Sequence, residues 1–308
     1  MNMLSDYERS ALLQIHAWKN PQPTFFDKAL SYVNTPLEFV GKYIPVPFEQ
    51  TSAAFVDACT KSMNGIVNLV NDGSQWSVRP NAIFEELSEV SKQKISSVEQ
   101  IALLDLHLID KSIGWLDTKY EGIALVEGAV AGGASVINPL VALATIPTDL
   151  VALTALNLRA IGEYGTYCGF DMTSQEERLF ALNVLALASS YSDRSKQVAL
   201  AHLVKIAKDV AMKKTWEQLN EHLFVRAVQS IAESLSINLT KAKLANFIPA
   251  AGAVMSGGFN AYYTDKVCKS AFYLYRERFL ALKYGPDIIE VTVQPAKSDE
   301  WGADEVTC

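Results

Sequence analysis

Two stretches decide how we expect this chain to fold. They are Gly128–Thr148, which reads GAVAGGASVINPLVALATIPT, and Leu244–Thr264, which reads LANFIPAAGAVMSGGFNAYYT. Each runs for 21 residues without a charged side chain, although 20% of the whole chain is charged. Both stretches are rich in glycine and alanine. We call them the first and the second uncharged tract.

Small residues recur at helical spacing in both tracts. They let two helices approach closely, because no side chain separates the backbones. The sequence therefore predicts a glycine-rich helical hairpin at the centre of the protein. The positions assigned to helix packing or ligand contact are Gly128, Gly132, Gly133, Gly252, Gly257 and Gly258.

Length and composition do not decide whether the tracts are surrounded by protein, by lipid or by a bound ligand. A helix that crosses a bilayer core needs about 20 apolar residues, and both tracts reach that length. However, Pro139 and Pro249 interrupt them, and a proline inside a helix costs about 3 kcal/mol. Broken helices persist in lipid only where neighbouring protein satisfies their backbone groups. Three interpretations remain: a hairpin buried in protein, contact with a membrane, and a pocket for an anion or an apolar ligand.

The rest of the chain has a helical pattern. Ser5 and Glu8 form a capping box that predicts a helix to about Trp18, and further helices are predicted from Ser97 to about Thr118 and from Thr173 onward. The best strand candidate, Ile288–Val293, is too short to predict a sheet. We therefore expect an all-α multi-helix bundle.

The predicted organisation has three parts. Residues 1–75 form an N-terminal helical part packed on the main body, with a break at Gly73–Pro80. Residues 76–285 form the main all-α domain. Residues 286–308 carry six acidic side chains and one lysine, a composition typical of a flexible tail.

Charge and cysteine usage narrow the classes of function. A net charge of −7 leaves no basic excess to neutralise phosphates, so we expect no nucleic-acid partner. The four cysteines form no C-x-x-C pair and the four histidines are far apart, so we expect no metal, no cofactor and no disulfide scaffold. The N-terminus lacks the pattern of a secretory signal. These features predict a cytoplasmic protein, with membrane association left open.

Two acidic residues follow the tracts. Asp149 is the one charged residue between Gly128 and Leu158, and Asp265 comes directly after the second tract. Each is a candidate for proton transfer or cation binding. The alternative is a structural role: with Pro147 at the first helical position, Asp149 would be third and would interact favourably with the helix dipole.

A second group of candidates lies around the predicted turn at 165–174. Arg159, Asp171 and Glu176 surround it. The candidate Arg278, together with Arg276, could meet an acidic group from residues 128–165 or could form a solvated face. Carboxylates with an arginine could bind a polar substrate, and the weak catalytic candidates are therefore Asp149, Arg159, Asp171 and Glu176. The alternative is helix capping and surface ion pairs. We find none of the familiar nucleophile, zinc or phosphate-binding motifs.

A set of landmarks occurs in order along most of the chain. They are Glu8, Trp18, the Gly128–Gly133 cluster, Pro147-Thr148-Asp149, Leu158-Arg159, Tyr-Cys-Gly-Phe-Asp at 167–171, Glu176-Glu177-Arg178 and Arg276–Leu280. With these features the chain resembles the EcsC protein family from about residue 5 to residue 285, although members usually have Tyr-Gly-Phe-Asp at the place of 167–171. The family takes its name from a protein encoded beside an ABC transporter of bacteria, and the resemblance implies an α-helical fold but no established reaction.

Three functions follow as hypotheses. The first is a non-enzymatic accessory or scaffold protein in the cytoplasm or at the inner membrane face, linked to an ABC transporter. Its partners would be a membrane surface or a membrane protein. The second is a soluble protein that binds a lipid or another apolar ligand. The third is a hydrolase that uses the carboxylate and arginine cluster.

Overall fold

The computed structural model describes residues 4–19, 78–134, 146–190, 193–211 and 258–289, with single residues inside 57–68 and 227–235. Every regular element in these ranges is helical, which confirms the all-α prediction for the described residues. The elements are α1 (Asp6–Lys19), α2 (Pro80–Ser91), α3 (Val98–Ile101), α4 (Leu106–Ile113), α5 (Leu116–Ala134), α6 (Ile146–Tyr167), α7 (Gln175–Ser189), α8 (Asp193–Ala211), α9 (Phe259–Tyr284) and a 3₁₀ turn (Pro286–Ile288).

The long helix α9 organises the bundle. Its 26 residues make it about 39 Å long. It packs against α1, α4, α5, α6, α7 and α8, and apolar residues are buried from Phe259 at its start to Leu280 near its end. A helix buried on most sides must bury polar residues as well, and α9 does so near its C-terminus.

The segment from α3 to α5 runs antiparallel to α9. At one end, Lys283 Nζ donates to the carbonyl oxygen of Leu104 at 3.2 Å. At the other end, Glu121 meets Asp265, and burial together with that second carboxylate raises the pKa of Glu121. As the residue number rises from 104 to 121 in this segment, the number of the neighbouring residue on α9 falls from 283 to 265.

The helices α6 and α9 approach each other closely at Gly165. A Cβ atom added at Gly165 would be 2.6 Å from Met172 Sδ and 3.0 Å from Cζ of Tyr275. The ring of Tyr275 packs in turn against Phe180, with 5.3 Å between ring centroids. Even a methyl group here would displace Met172 Sδ and press on the aromatic ring of the central helix.

The predicted glycine hairpin falls mostly outside the described residues. The first tract contributes the helical backbone of 128–134, which includes Gly128, Gly132 and Gly133 at the end of α5, and it resumes at Ile146. In the second tract, Gly252 and Gly257 lie outside the described residues. Gly258 precedes α9, and a Cβ there would meet no described heavy atom within 4 Å.

The predicted helix from Ser97 to Thr118 is wrong as a single element. The structure has α3, a turn at 102–105, α4, and the start of α5 after Gly114. Leu104 and Leu106 explain the first break, because residues two apart point to different sides of a helix and both are buried here. The turn lets both side chains enter the core and leaves Leu103 exposed.

The starts of two other helices also differ from the prediction. The residue that caps α7 is Ser174, not Thr173: its Oγ accepts from the backbone N–H of Glu177 at 3.1 Å, while Thr173 is held by Asp171. The helix α6 spans Ile146–Tyr167, which makes Asp149 its fourth residue rather than its third. By contrast, the Ser5–Glu8 capping box is confirmed at the start of α1.

The predictions for the C-terminal part, a strand candidate and an acidic tail, fall mostly outside the described residues. Of the strand candidate Ile288–Val293, Ile288 lies in the 3₁₀ turn, and 290–293 fall outside the described residues. The same holds for the acidic tail beyond Ile289.

Candidate functional site

Three consecutive charged residues of α9 are buried. Arg276, Glu277 and Arg278 are only 2%, 2% and 4% exposed. Successive helical residues are rotated by about 100°, so the three side chains leave α9 in different directions. A buried charge is tolerated only when it is paired and hydrogen-bonded. Each of the three meets an oppositely charged partner on a different helix.

Arg278 pairs with Glu177, the third residue of α7. Its Nη1 and Nη2 donate to the two carboxylate oxygens at 2.5 and 2.6 Å. The guanidinium also lies 4.0 Å from the ring centroid of Phe170 and 4.2 Å from that of Phe180. Burial would lower the pKa of Arg278, but Glu177 outweighs it and raises that pKa. Two-point pairing between aromatic faces suits the planar guanidinium and would not suit lysine.

Arg276 pairs with Asp110 on α4. Its Nη2 donates to Asp110 Oδ2 at 2.8 Å, and its guanidinium lies 4.4 Å from the ring centroid of Phe272. Tyr7 of α1 donates its hydroxyl to the same carboxylate oxygen at 2.7 Å. Burial raises the pKa of Asp110 despite the arginine, and burial together with Asp110 raises the pKa of Tyr7 to about 12.

The N-terminal helix, α1, contacts α9 at both of its ends. At its last turn, Lys19 Nζ lies 2.5 Å from Glu277 Oε1, and the Trp18 ring stacks on Tyr273 with 5.1 Å between centroids. At its first turn, Glu8 accepts hydrogen bonds from Lys283 and Tyr284, as described next.

Glu8 is buried although it belongs to the first turn of a terminal helix. Lys283 Nζ donates to its Oε1 at 3.0 Å, and Tyr284 Oη donates to its Oε2 at 2.7 Å. Burial would raise the pKa of Glu8, but hydrogen bonds from Tyr284, the Ser5 backbone and Lys283 outweigh it and lower the pKa to about 2. The capping carboxylate of α1 therefore also joins the two ends of the described chain.

We call these buried groups the ion-pair cluster. Each arginine or lysine in it is hydrogen-bonded to a carboxylate, so that the opposite charges neutralise each other. The pairs join α1, α4 and α7 to the last part of α9. The members are Glu8, Lys19, Asp110, Glu177, Arg276, Glu277, Arg278 and Lys283.

Of the cluster, the sequence analysis assigned only Arg278 as a site residue. A usable signal existed for Asp110, which lies four residues after Leu106 and three before Ile113, on the buried face of α4. Glu177 likewise lies three residues before the buried Phe180. A carboxylate on the apolar face of a helix predicts a buried cationic partner.

The weak catalytic candidates do not form one site. Asp149 lies in the first turn of α6, and Asp171 lies beyond its last residue, Tyr167. The 18 residues from 149 to 167 span about 27 Å of helix. Since reacting groups must lie within hydrogen-bonding reach of one substrate, these two carboxylates cannot serve the same reaction centre.

The candidates nearer the turn have structural contacts. Asp171 Oδ1 accepts from the Thr173 backbone at 2.9 Å and from its hydroxyl at 2.7 Å. Arg159 Nε is 3.9 Å from Glu163, but the closer partner of Glu163 is Lys119 at 2.6 Å. Glu176 is half-buried beside Glu177.

Asp265 belongs to a separate place on α9. It pairs with Lys269 one turn later at 2.7 Å and faces Glu121 across the helix interface. Among the described residues, no group of three histidine, cysteine, aspartate or glutamate side chains could hold a metal ion.

An exposed apolar face lies on α5 directly before the first tract. Ile123, Leu125 and Val126 are 36%, 52% and 63% exposed. Within the part of the chain that the structure describes, no helix combines the length and the apolar character needed to cross a bilayer.

Fold and site together define a class: an all-α protein whose central helix is bound to its neighbours through buried ion pairs. A family model of the EcsC protein family matches residues 9–280. The chain therefore belongs to the EcsC protein family. No curated protein and no solved structure matches it significantly.

Proposed function

We propose that this protein is a non-enzymatic accessory or scaffold protein that works at the cytoplasmic face of a membrane. It would contact the bilayer through the end of the bundle where the two uncharged tracts meet α5 and α9. The resemblance to a family named from a transporter-linked protein suggests a membrane transporter as its neighbour there.

The observation that carries this proposal is the exposed apolar face of α5. Leu125 and Val126 stand in solvent, although most of the apolar side chains in the described helices are buried. Glu127 is the last charged residue before the first tract, and the next, Asp149, is 22 positions away. Exposed apolar residues that continue into an uncharged segment are typical of a surface that contacts lipid or protein.

The antiparallel register of α5 and α9 adds a second argument. It brings Gly128–Ala134, from the first tract, and Gly258, from the second, toward the same end of α9. The ion-pair cluster occupies the opposite end, around Arg276–Lys283. A bundle with two uncharged segments toward one end and the ion-pair cluster at the other has a natural orientation at a bilayer surface.

Two acids near the turn also favour a structural protein over a hydrolase. Asp171 Oδ1 accepts two hydrogen bonds from Thr173, and both carboxylate oxygens of Glu177 accept from Arg278.

Flotation with phosphatidylcholine vesicles tests the proposal. Wild-type protein should float with the vesicles, and Leu125→Glu with Val126→Glu should remain at the bottom of the gradient, because a charge at a lipid contact is costly. The matched control replaces Leu13 and Leu103 by glutamate, since both are exposed apolar residues outside α5. Wild-type protein that does not float, or equal loss in both double variants, would contradict the proposal.

A further inference from the structure

One face of α8 is basic and solvent-exposed. The opposite face packs in the core through Leu203 and Ile206. Lys205 is exposed and Lys208 half-buried. At about 100° per residue, positions 205 and 208 lie about 60° apart around the helix axis. They line the side of α8 that points away from Leu203.

Among the side chains that the structure describes, neither Lys205 nor Lys208 forms an ion pair. The charge of this segment is also unusual for the protein. The stretch 193–214 carries a net charge of +4, whereas the whole chain carries −7. Its charged residues are Asp193, Arg194, Lys196, Lys205, Lys208, Asp209, Lys213 and Lys214.

The chain contains a segment of complementary charge. Residues 290–308 hold five acidic side chains and one lysine, a net charge of −4. They begin directly after Ile289, the last described residue, at the C-terminal end of α9. Nineteen residues can extend over about 60 Å, which exceeds the length of about 39 Å estimated for α9. The segment is therefore long enough to reach α8 from the end of α9.

We propose that the acidic C-terminal segment 290–308 binds the basic face of α8. Because it is tethered, it acts at a millimolar effective concentration, so that individually weak surface ion pairs suffice. The segment then competes with any anionic partner for Lys205 and Lys208. The inference does not depend on the proposed membrane contact, since it rests on α8 rather than α5.

Lysine acylation on the full-length protein tests it. The variant Asp299→Asn, Glu300→Gln, Asp304→Asn, Glu305→Gln removes the acidic charges near the C-terminus and keeps the length of the chain. The initial acylation rates of Lys205 and Lys208 at low salt should rise several-fold in this variant. The rates of Lys92 and Lys94, exposed lysines beyond the end of α2, should stay as in the wild type. In 1 M salt the difference should vanish, because screening then acts within about 3 Å.

Two outcomes would overturn the proposal in this experiment. One is an unchanged rate at Lys205 and Lys208. The other is an equal rise at all four lysines, which would mean that the acidic charges act through the general field of the protein. Circular dichroism of the variant verifies that the helices are intact.

A second measurement tests the alternative that an anionic lipid surface, rather than the C-terminal segment, binds the basic face of α8. Vesicles containing phosphatidylglycerol are mixed with the wild type and the charge-neutralised variant. Stronger binding by the variant, which is lost again on adding Lys205→Glu and Lys208→Glu, supports the proposal, because the segment then shields this face. Equal binding of wild type and variant through the same two lysines would assign the face to lipid and overturn it.

Discussion

Arg278 and Glu177 lie 101 positions apart in the chain and form a bidentate ion pair in the core, with both hydrogen bonds between 2.5 and 2.6 Å. The pair joins the first turn of α7 to the last part of α9. Phe170 and Phe180 flank the guanidinium, so the pair is shielded from water. The described helices are therefore joined by specific polar contacts as well as by apolar packing.

Breaking this pair should destabilise the protein strongly. Glu177→Gln leaves Arg278 buried without a counter-charge, and loss of one partner of a buried pair costs about 3–5 kcal/mol. Urea unfolding followed by circular dichroism measures the change. Glu176→Gln is the matched control, since this neighbouring side chain is half-buried and is not part of the pair; it should change stability by less than about 0.5 kcal/mol. Equal effects of the two variants would contradict the assignment.

The hydrogen bonds of Glu8 should appear in the pH dependence of stability. Its pKa falls from 4.5 in the unfolded chain to about 2 in the folded protein. Its contribution is therefore fully present above pH 4.5 and is lost as the pH falls toward 2. We expect Glu8→Gln to be less stable than the wild type at pH 6, and the difference to shrink to about a quarter of that value at pH 2.5, as measured by urea unfolding. A constant difference across this range would show that the carboxylate charge is not what stabilises α1.

The close approach of α6 and α9 predicts opposite effects at two glycines. Gly165→Ala would bring a Cβ to 3.0 Å from the Tyr275 ring and closer still to Met172, and overpacking of this kind costs about 1–3 kcal/mol. Gly122→Ala in α5 meets nothing within 4 Å and should stabilise the helix by about 0.5–1 kcal/mol. Thermal unfolding of the two variants gives the comparison. A stabilising Gly165→Ala would show that the ring can yield.

Asp149 should behave as a structural acid of the α6 N-terminus. Asp149→Asn removes a negative charge from the first turn of the helix, which costs about 0.3–1 kcal/mol through the helix dipole. Thermal unfolding measures this loss. The vesicle flotation of the variant should equal that of the wild type, because Asp149 is not part of the exposed face of α5. Loss of flotation with unchanged stability would instead give Asp149 a functional role.

Local patterns predicted the elements whose causes are local. The Ser5–Glu8 box predicts α1 correctly, because both partners lie within four residues of each other. The segment 97–118 was mispredicted as one helix, since the break at 102–105 depends on burying Leu104 and Leu106 in a core built by other helices. The predicted start of α7 was wrong by one residue, because Thr173 is hydrogen-bonded to Asp171 and belongs to the preceding turn.

The candidate site was less predictable than the fold. Arg278 was expected to meet an acidic group from residues 128–165, but its partner is Glu177 on α7, and Glu176 had been chosen instead of Glu177 as a candidate. Adjacent helical residues differ by about 100° in direction, and only the position of α9 decides which one points inward. Asp149 and Asp171 were grouped as candidates, yet α6 separates them by most of its length.

The sequence by itself determined the helical class, the capping of α1, the family, and the two tracts without charge, because these depend on residue types and on spacings within a few turns. Only the tertiary structure decided which charges are buried and with whom they pair. The physical reason is that an ion pair such as Arg278–Glu177 depends on the packing of helices distant in the chain. Spacing along the sequence carries no information about the angle and distance at which those helices meet.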